Sequence, residues 1–275
     1  MIARRRNQLL LHGFLLLVSI IFVFPLVWII VSSFKTGPDL ASNPVSFVPE
    51  TFTLDNYVNV LIGLGFLRNL GNSLYISLIT TALTVIGSTM AAYGVVRFFP
   101  KVGKRLTRLL IATYMFPPIL LAVPYLFIMV QLNLINTYTG LVLAYLSFSL
   151  PYAIWMLVGF YGRVPLEVEE GAQMDGAGKF RVFWQIATPI VMPGIVATAV
   201  YTFINTFNEF LYPLLFINET GKMPVAVALY SLTGSEVLDW GAMMAAAVTV
   251  VVPSVLFFMA IQKHIAGGLA EGSVK

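Results

Sequence analysis

The chain has 275 residues, of which 59% are hydrophobic and only 10% are charged. In soluble domains roughly a quarter of the residues are charged, so this composition excludes a water-soluble globular protein and predicts an integral membrane protein. The net charge of +4 comes from basic residues scattered over separate loops, which excludes a concentrated nucleic-acid-binding surface.

Six apolar stretches are long enough to cross a bilayer, because about 20 helical residues span roughly 30 Å of hydrocarbon. Several contain proline, which membrane helices tolerate, so each stretch is predicted as one span. The first follows three arginines but is longer than a signal-peptide core, which predicts a retained anchor. We therefore expect one all-α transmembrane domain with six spans, at residues 10–31, 72–95, 109–130, 140–160, 191–216 and 243–261.

The distribution of lysine and arginine predicts which side of the membrane each loop faces, because basic residues near span ends are retained in the cytoplasm. In the six-span arrangement, all but three of the 16 basic residues fall on one side. The exceptions are Lys35, Arg68 and Lys222. Both termini are therefore expected in the cytoplasm, together with the segment between the fourth and fifth spans.

The connections between the spans differ in length. Residues 34–71 and 218–240 are expected on the outer side, and the second segment is long enough to contact an external partner. Within the first, Thr53 to Leu61 is expected to form a short capped helix. The cytoplasmic tail 262–275 is predicted to be pliable, because it contains Gly267, Gly268 and Gly272.

The most polar internal stretch, residues 163–189, lies between the fourth and fifth spans. Pro165 suits the first position of a helix, and the glutamates that follow complement the positive end of the helix dipole. Asp175 and Gly176 are expected to end this helix. A second helix is expected to end at Pro189 and to rest one apolar face on the bilayer, formed by Phe180, Phe183, Trp184 and Ala187. Such a helix–break–helix insertion predicts a docking surface for another protein.

Two spans carry features with two interpretations each. In the second span, hydroxyl side chains on one helical face indicate either a hydrophilic path or close helix packing. They are Ser73, Ser77, Thr80, Thr84 and Ser88. In the third span, Pro117, Pro118 and Pro124 predict a kinked or locally unwound helix, which either borders a solute path or is a fixed bend.

The fifth span contains a polar stripe. Its members recur at i, i+4, i+7 and i+11, which places them on one side of a helix, and Glu209 lies on the flank. They are Tyr201, Asn205, Asn208 and Tyr212. Ionisable residues within a membrane are costly and indicate a functional site, so the stripe is a candidate translocation path. Hydrogen bonding between helices, and a solvated Glu209 at the outer boundary, are the alternatives.

The residue types argue against an enzyme. The chain has no cysteine and two histidines, His12 and His264, both at span ends, so no metal site is expected. No Gly-Lys pair completes the phosphate-binding loop G-x-x-x-x-G-K-[ST], so nucleotide hydrolysis is not expected in this chain. Uphill transport would then need an ion gradient or another subunit.

The polar stretch resembles a known motif. Glu170, Ala172, Gly176, Ile186 and Pro189 match the spacing of the EAA loop, E-A-A-x(3)-G-x(9)-I-x-L-P, in permease subunits of bacterial ABC importers. The chain departs from the motif twice, with Gly171 in place of the first alanine and Thr188 in place of the leucine.

The resemblance is strongest to the carbohydrate branch of that family, in particular to the smaller, six-helix permease of maltose-type systems. Asp175-Gly176-Ala177 is the form that is common in this branch. Four further stretches are similar to it, and they are Ala91-Ala92-Tyr93 with Arg97, residues 134–138, residues 151–155 and residues 208–214.

The resemblance implies a type I importer permease fold within a complex of several chains. A homologous second permease, two copies of a cytoplasmic ATPase that holds ATP and Mg²⁺, and an external solute-binding protein are the expected partners, and a sugar is the expected solute. Glu170 is expected to meet a basic residue in a cleft of the ATPase. Ala172 is small enough to let the helix seat there, and Gly176 allows the bend. The tail resembles one that inserts between the ATPase subunits, and the outer loop 218–240 resembles one that reaches into the binding protein.

Two alternative functions remain at this point. An ion-driven secondary transporter predicts paired ionisable residues deep in the membrane and internal repeats, and Glu209 is the one candidate of the first kind. A permease for another solute class, such as a phosphorylated polyol or a peptide, is the second alternative. A phosphorylated solute favours a basic cavity, whereas no predicted span interior contains lysine or arginine.

Overall fold

The computed structural model describes residues 2–234 and 238–271, and within these ranges the regular structure is helical apart from an isolated antiparallel bridge between Lys35 and Phe52. The helices in chain order are α1 (Ile2–Ser32), α2 (Gly37–Ser42), α3 (Asp55–Val58), α4 (Phe66–Arg97), α5 (Pro100–Tyr114), α6 (Pro118–Gln131), α7 (Tyr138–Tyr161), α8 (Leu166–Met174), α9 (Lys179–Arg181), α10 (Thr188–Phe207), α11 (Leu211–Phe216), α12 (Val225–Ser231) and α13 (Trp240–Glu271).

The predicted all-α membrane fold is confirmed. By length and composition, α1, α4, α7, α13 and the continuous helical run Lys179–Phe207 are each able to cross a membrane. The bent pair α5 and α6 is the sixth candidate span. The connection between the second and third predicted spans is short, because α4 continues to Arg97 and α5 begins at Pro100.

The third predicted span is two helices, not one. The axes of α5 and α6 differ by 94°, with the break at residues 115–117. Pro118 is at the first position of α6, where its missing N–H leaves no helical bond unmade, and the ring of Pro117 prevents α5 from continuing. The prediction of a kinked or unwound helix is therefore confirmed, and the bent pair as a whole is the candidate for the third predicted span.

The fifth predicted span is also interrupted. Helix α10 ends at Phe207, and the short helix α11 begins only at Leu211. A continuous helix would press the ring of Pro213 against the carbonyl of Glu209 four residues earlier, so the backbone leaves the helix before that point. The predicted stripe therefore does not lie on a single helix.

The polar stretch 163–189 contains the predicted helix, break and second helix, but its end differs from the prediction. The second helix passes from α9 through a π-helical segment, Val182–Ala187, directly into α10. Pro189 therefore does not end this helix. In the wide π turn just before the proline, the carbonyl that would clash with the proline ring in an α-helix is displaced from it. The predicted apolar face is divided. Phe180 and Trp184 are exposed, whereas Phe183 and Ala187 are buried against the protein, because a π turn holds more residues than an α turn and changes which side chains share a face.

The hydroxyl stripe of α4 is buried in the protein. The five side chains Ser73, Ser77, Thr80, Thr84 and Ser88 are at most 3% exposed. Close helix packing is therefore the correct interpretation, because small side chains let helix backbones approach each other. One stripe member also bonds the outer loop, since the Ser73 hydroxyl accepts the N–H of Val225 at 2.7 Å.

Packing divides the chain into two units. Residues up to Leu67 and Leu229–Val252 form one, and Arg68–Ala228 with the residues from Pro253 form the other. In the first unit, α3 lies where a short capped helix was predicted, and the Thr53 hydroxyl accepts the N–H of Asp55 at 3.1 Å. At the other end of the chain, α13 is helical to Glu271, where a pliable tail was predicted, and residues 272–275 lie outside the described ranges.

Two buried clusters hold the second unit together. One joins α4, α6, α7 and α11 around Tyr145, Tyr212 and Phe216. The other joins α4, α7 and the π-helical segment around Tyr93, Tyr161 and Phe183. The second cluster includes residues of the polar stretch itself, so this stretch is packed against α4 and α7.

Candidate functional site

Helix α8 and the turn after it present most of the motif residues on one exposed element. Residues Glu170, Gly171, Asp175 and Gly176 are exposed, and Ala172 and Ala177 are half-buried. Further along the chain, Ile186 is half-buried in the π-helical segment and Pro189 is exposed at the start of α10. We call residues 163–189 the coupling module.

Gly176 shapes the break in the coupling module. Its φ of 88° lies in the left-handed region that favours glycine. The N–H of Ala177 bonds the carbonyl of Ala172 at 3.0 Å, and the N–H of Gly176 bonds that of Gln173 at 3.0 Å. This hydrogen-bond pattern is a Schellman motif, which satisfies the last carbonyls of α8 and turns the chain sharply. The predicted role of Gly176 in the bend therefore has a defined geometry.

Neighbouring glutamates of α8 have different environments. Glu170 is exposed, whereas Glu169 is 2% exposed and binds two residues of α4. Arg97 Nη2 lies 2.7 Å from Glu169 Oε1, and the Tyr93 hydroxyl donates to Glu169 Oε2 at 2.9 Å. Arg97 Nη2 also donates to the carbonyl of Val164 at 2.8 Å. We call Tyr93, Arg97, Val164 and Glu169 the α4–α8 clamp.

Sequence reasoning did not find the α4–α8 clamp. It used Arg97 as an orientation signal and, with Tyr93, as part of the resemblance to the carbohydrate branch, and it treated Glu169 as one of three acids at a helix N-terminus. The sequence does contain a signal, since Tyr93 and Arg97 are four residues apart and therefore lie on one face of α4. The acidic partner is 72 residues further along the chain, and only the fold brings it to that face.

A cavity of about 300 Å³ lies beside the break between α10 and α11. Aromatic rings, hydroxyls, one amide and one carboxylate line it, and the residues include Thr113, Tyr114, Tyr125, Ser147, Phe148, Asn205, Glu209 and Tyr212. Three members of the predicted path, Asn205, Glu209 and Tyr212, thus meet at one cavity. Neither lysine nor arginine is among the lining residues.

The other two predicted path residues are not part of the cavity lining. The ring of Tyr201 stacks on that of Tyr152 with centroids 4.0 Å apart, and its hydroxyl bonds the hydroxyl of Tyr114, which does line the cavity. Asn208 is exposed, and its amide donates to the carbonyl of Ile204 at 2.8 Å in its own helix.

Glu209 has a structural role in addition to its place at the cavity. Its Oε1 accepts the N–H groups of Leu211 and Tyr212 at 2.9 and 3.2 Å, and so caps α11. These two N–H groups have no partner within their own helix.

We expect Glu209→Ala to lower the free energy of unfolding by about 1 kcal/mol, as loss of a capping acceptor does. Glu209→Gln keeps an oxygen acceptor and is the control. Equal thermal unfolding midpoints for the two purified variants would contradict the capping role.

Within the described ranges, no group of three or more His, Asp or Glu side chains is placed to hold a metal ion.

Residues 83–270 match the family of binding-protein-dependent transport system inner membrane components. The chain belongs to this family. It is therefore a permease, a non-catalytic component of a bacterial inner membrane.

Two relatives align with nearly the whole permease. It is 33% identical over 275 residues to the diacetylchitobiose uptake system permease protein NgcG of Streptomyces coelicolor, covering 98% of this chain and 90% of that protein. It is 36% identical over 265 residues to the trehalose/maltose transport system permease protein MalG of Thermococcus litoralis, covering 94% of each.

A solved structure has a similar fold. The permease matches a bacterial ABC transporter involved in the import of the acidic polysaccharide alginate, with a TM-score of 0.77 over 95% of this chain and 97% of that one. The two sequences are 17% identical, so this similarity concerns the fold alone.

Proposed function

We propose that this permease is one transmembrane subunit of an ATP-driven, binding-protein-dependent sugar importer. The observation that carries the proposal is the alignment, over nearly the whole chain, with permeases named for diacetylchitobiose and for trehalose or maltose transport. Its cavity agrees with a sugar, because aromatic faces pack against sugar rings while amides, hydroxyls and carboxylates bond their hydroxyl groups. An anionic solute such as a phosphorylated polyol would lack a basic partner in this lining.

The proposed path uses the cavity side of the break between α10 and α11. Asn205, Glu209 and Tyr212 line it, and Tyr201 supports it through its bond to Tyr114.

We expect Asn205→Ala to raise the KM for uptake by about two- to tenfold, the effect of one lost hydrogen bond. Asn208→Ala is the matched control, because this amide is on the same helical segment but outside the cavity lining. Unchanged uptake by both variants would remove Asn205 from the path.

The coupling module is the proposed contact with a cytoplasmic ATPase. Glu170 is exposed on α8, next to the half-buried Ala172, so its carboxylate is available to a basic residue of another chain. Closure of an ATPase dimer on ATP and Mg²⁺ would displace α8 and switch the spans between two discrete arrangements. In the proposed orientation, the module and both termini are in the cytoplasm, and the tail 262–275 would contact the ATPase.

The outer loop is the proposed contact with the solute-binding protein. Its start is held in place, because Asn136 Oδ1 accepts the N–H groups of Asn218 and Glu219 at 3.2 Å. The amides of Asn69 and Asn72 donate to carbonyls of the turn that follows. A loop bound in this way is preorganised for docking, which lowers the entropy lost on association. A related alginate transporter has been crystallised with its periplasmic protein bound to an alginate pentasaccharide.

Reconstitution tests the proposal. The permease is purified together with the homologous second permease and the ATPase, and the complex is placed in liposomes. The external binding protein is then added with labelled diacetylchitobiose, trehalose or maltose. We expect uptake of a sugar that requires both ATP and the binding protein. Uptake driven by an ion gradient without ATP would indicate a secondary transporter instead. ATP-dependent uptake of a non-sugar solute alone would retain the importer and exclude the sugar.

A further inference from the structure

The α4–α8 clamp is not explained by stability alone. Arg97 and Glu169 are 13% and 2% exposed in their side chains, so both charges have lost most of their hydration. A buried ion pair is often no more stabilising than apolar residues of similar size, because desolvation offsets the attraction. The geometry of the pair, which apolar packing does not reproduce, is therefore the property to account for.

That geometry fixes the orientation of α8 as well as its distance from α4. Arg97 holds Oε1 of Glu169 through both Nε and Nη2, at 2.8 and 2.7 Å. Tyr93, one helical turn earlier, holds Oε2 of the same carboxylate. Two successive turns of α4 thus hold the two carboxylate oxygens of one α8 side chain. Rotation of α8, as well as its separation from α4, would break these charge-assisted hydrogen bonds.

The connections on either side of α8 do not provide such an attachment. It follows a turn at residues 162–165 and precedes the Gly176 turn, and it packs against the π-helical segment Val182–Ala187, which belongs to the coupling module itself. The Arg97 bond to the carbonyl of Val164 holds the entry to α8 at the same point. The face of α8 that carries Glu170 remains exposed.

We propose that the α4–α8 clamp is the joint through which movement of the coupling module reaches α4. Glu169, Arg97 and Tyr93 act as positioning residues that keep α8 and the end of α4 as one rigid body in both transport states. The inference rests on the proposed function, in which an ATPase displaces α8 through its exposed face. It adds that the buried glutamate, and not only the exposed Glu170, is required for transport.

Transport by the reconstituted complex tests the joint. Glu169→Gln keeps the shape of the side chain and removes the ion pair, so we expect uptake to fall by about tenfold or more while the ATPase remains bound and active. Tyr93→Phe removes one hydrogen bond and is expected to have a smaller effect of the same kind. Glu50→Gln, the same chemical change at an exposed position outside the coupling module, is the matched control and is expected to transport normally.

A distance measurement separates the joint from a purely stabilising contact. The chain has no cysteine, so Met90→Cys on α4 and Met174→Cys on α8, both exposed, accept two spin labels selectively. We expect the distance between the labels to be the same with and without ATP in the otherwise unaltered complex. In the Glu169→Gln background we expect ATP to shift or broaden it, because α8 then moves without α4.

Three outcomes would overturn the inference. The first is a label distance that changes with ATP while the clamp is intact. The second is normal uptake per assembled Glu169→Gln complex, with only a lower unfolding temperature, which would make the clamp a stabilising contact. The third is the absence of ATP-dependent uptake in the unaltered complex, which would overturn the proposed function itself and is recognised separately because it precedes any substitution.

Discussion

Glu170→Arg is expected to abolish ATP-driven uptake while the permease still inserts and folds. The side chain is exposed, so a larger basic group meets no internal neighbour and leaves the α4–α8 clamp intact. At the proposed ATPase contact, however, it would replace an attraction with repulsion between like charges, and such a juxtaposition destabilises an interface by several kcal/mol. The measurements are the amount of ATPase that co-purifies with the permease and the rate of sugar uptake in liposomes.

The control for this prediction is Glu167→Arg. It lies in the first turn of the same helix, is also exposed, and makes the same change of charge near the helix N-terminus. Any general effect on α8 through the helix dipole is therefore present in both variants. Loss of coupling in Glu170→Arg alone supports the contact. Normal uptake and normal ATPase stimulation in that variant would refute the assignment of Glu170.

Gly140→Ala is expected to destabilise the permease strongly, although alanine is the better helix former. A Cβ atom at this position would lie well inside van der Waals contact with the backbone carbonyl oxygen of Leu134. That carbonyl is held in place, since it also accepts the hydroxyl of Thr137, which in turn caps α7 by accepting the N–H of Gly140. Overpacking of this kind against backbone outweighs the gain of about 1 kcal/mol in helix propensity.

Gly159→Ala on the same helix is the matched control. A Cβ there meets nothing within 4 Å, so only the propensity term operates and its sign is stabilising. We expect the unfolding midpoint of the purified Gly140→Ala permease to fall by about 4 °C or more, and that of Gly159→Ala to stay level or rise. Equal midpoints for Gly140→Ala and the unaltered permease would show that the Leu134 carbonyl moves aside at little cost.

Much of this architecture was predictable from the sequence. The positions of the spans follow from the length of apolar stretches, because the thickness of a bilayer is a one-dimensional constraint on a helix. The helix, its Gly176 break and the second helix of the coupling module follow from local preferences for dipole, φ and amphipathicity. The errors occurred where a proline or a π turn changed the helix path, since local spacing no longer predicts which side chains share a face once the helix period changes.

The site depended on contacts between distant parts of the chain. The motif spacing identifies Glu170, but no local feature predicts that Glu169 is buried, and it is buried because Arg97 and Tyr93 lie beside it. Likewise, the sequence allowed two interpretations of the α4 hydroxyl stripe, and only its burial by neighbouring helices in the structure distinguishes them.

The sequence by itself therefore determined that this is a multi-span permease with an acidic stretch between its fourth and fifth spans. The tertiary structure decided which carboxylate is exposed, which one is bound inside, and which residues of the predicted stripe share a cavity. The physical reason is that hydropathy, helix period and turn preference act within a few residues, whereas burial and ion pairing depend on side chains that only folding brings within a few ångströms.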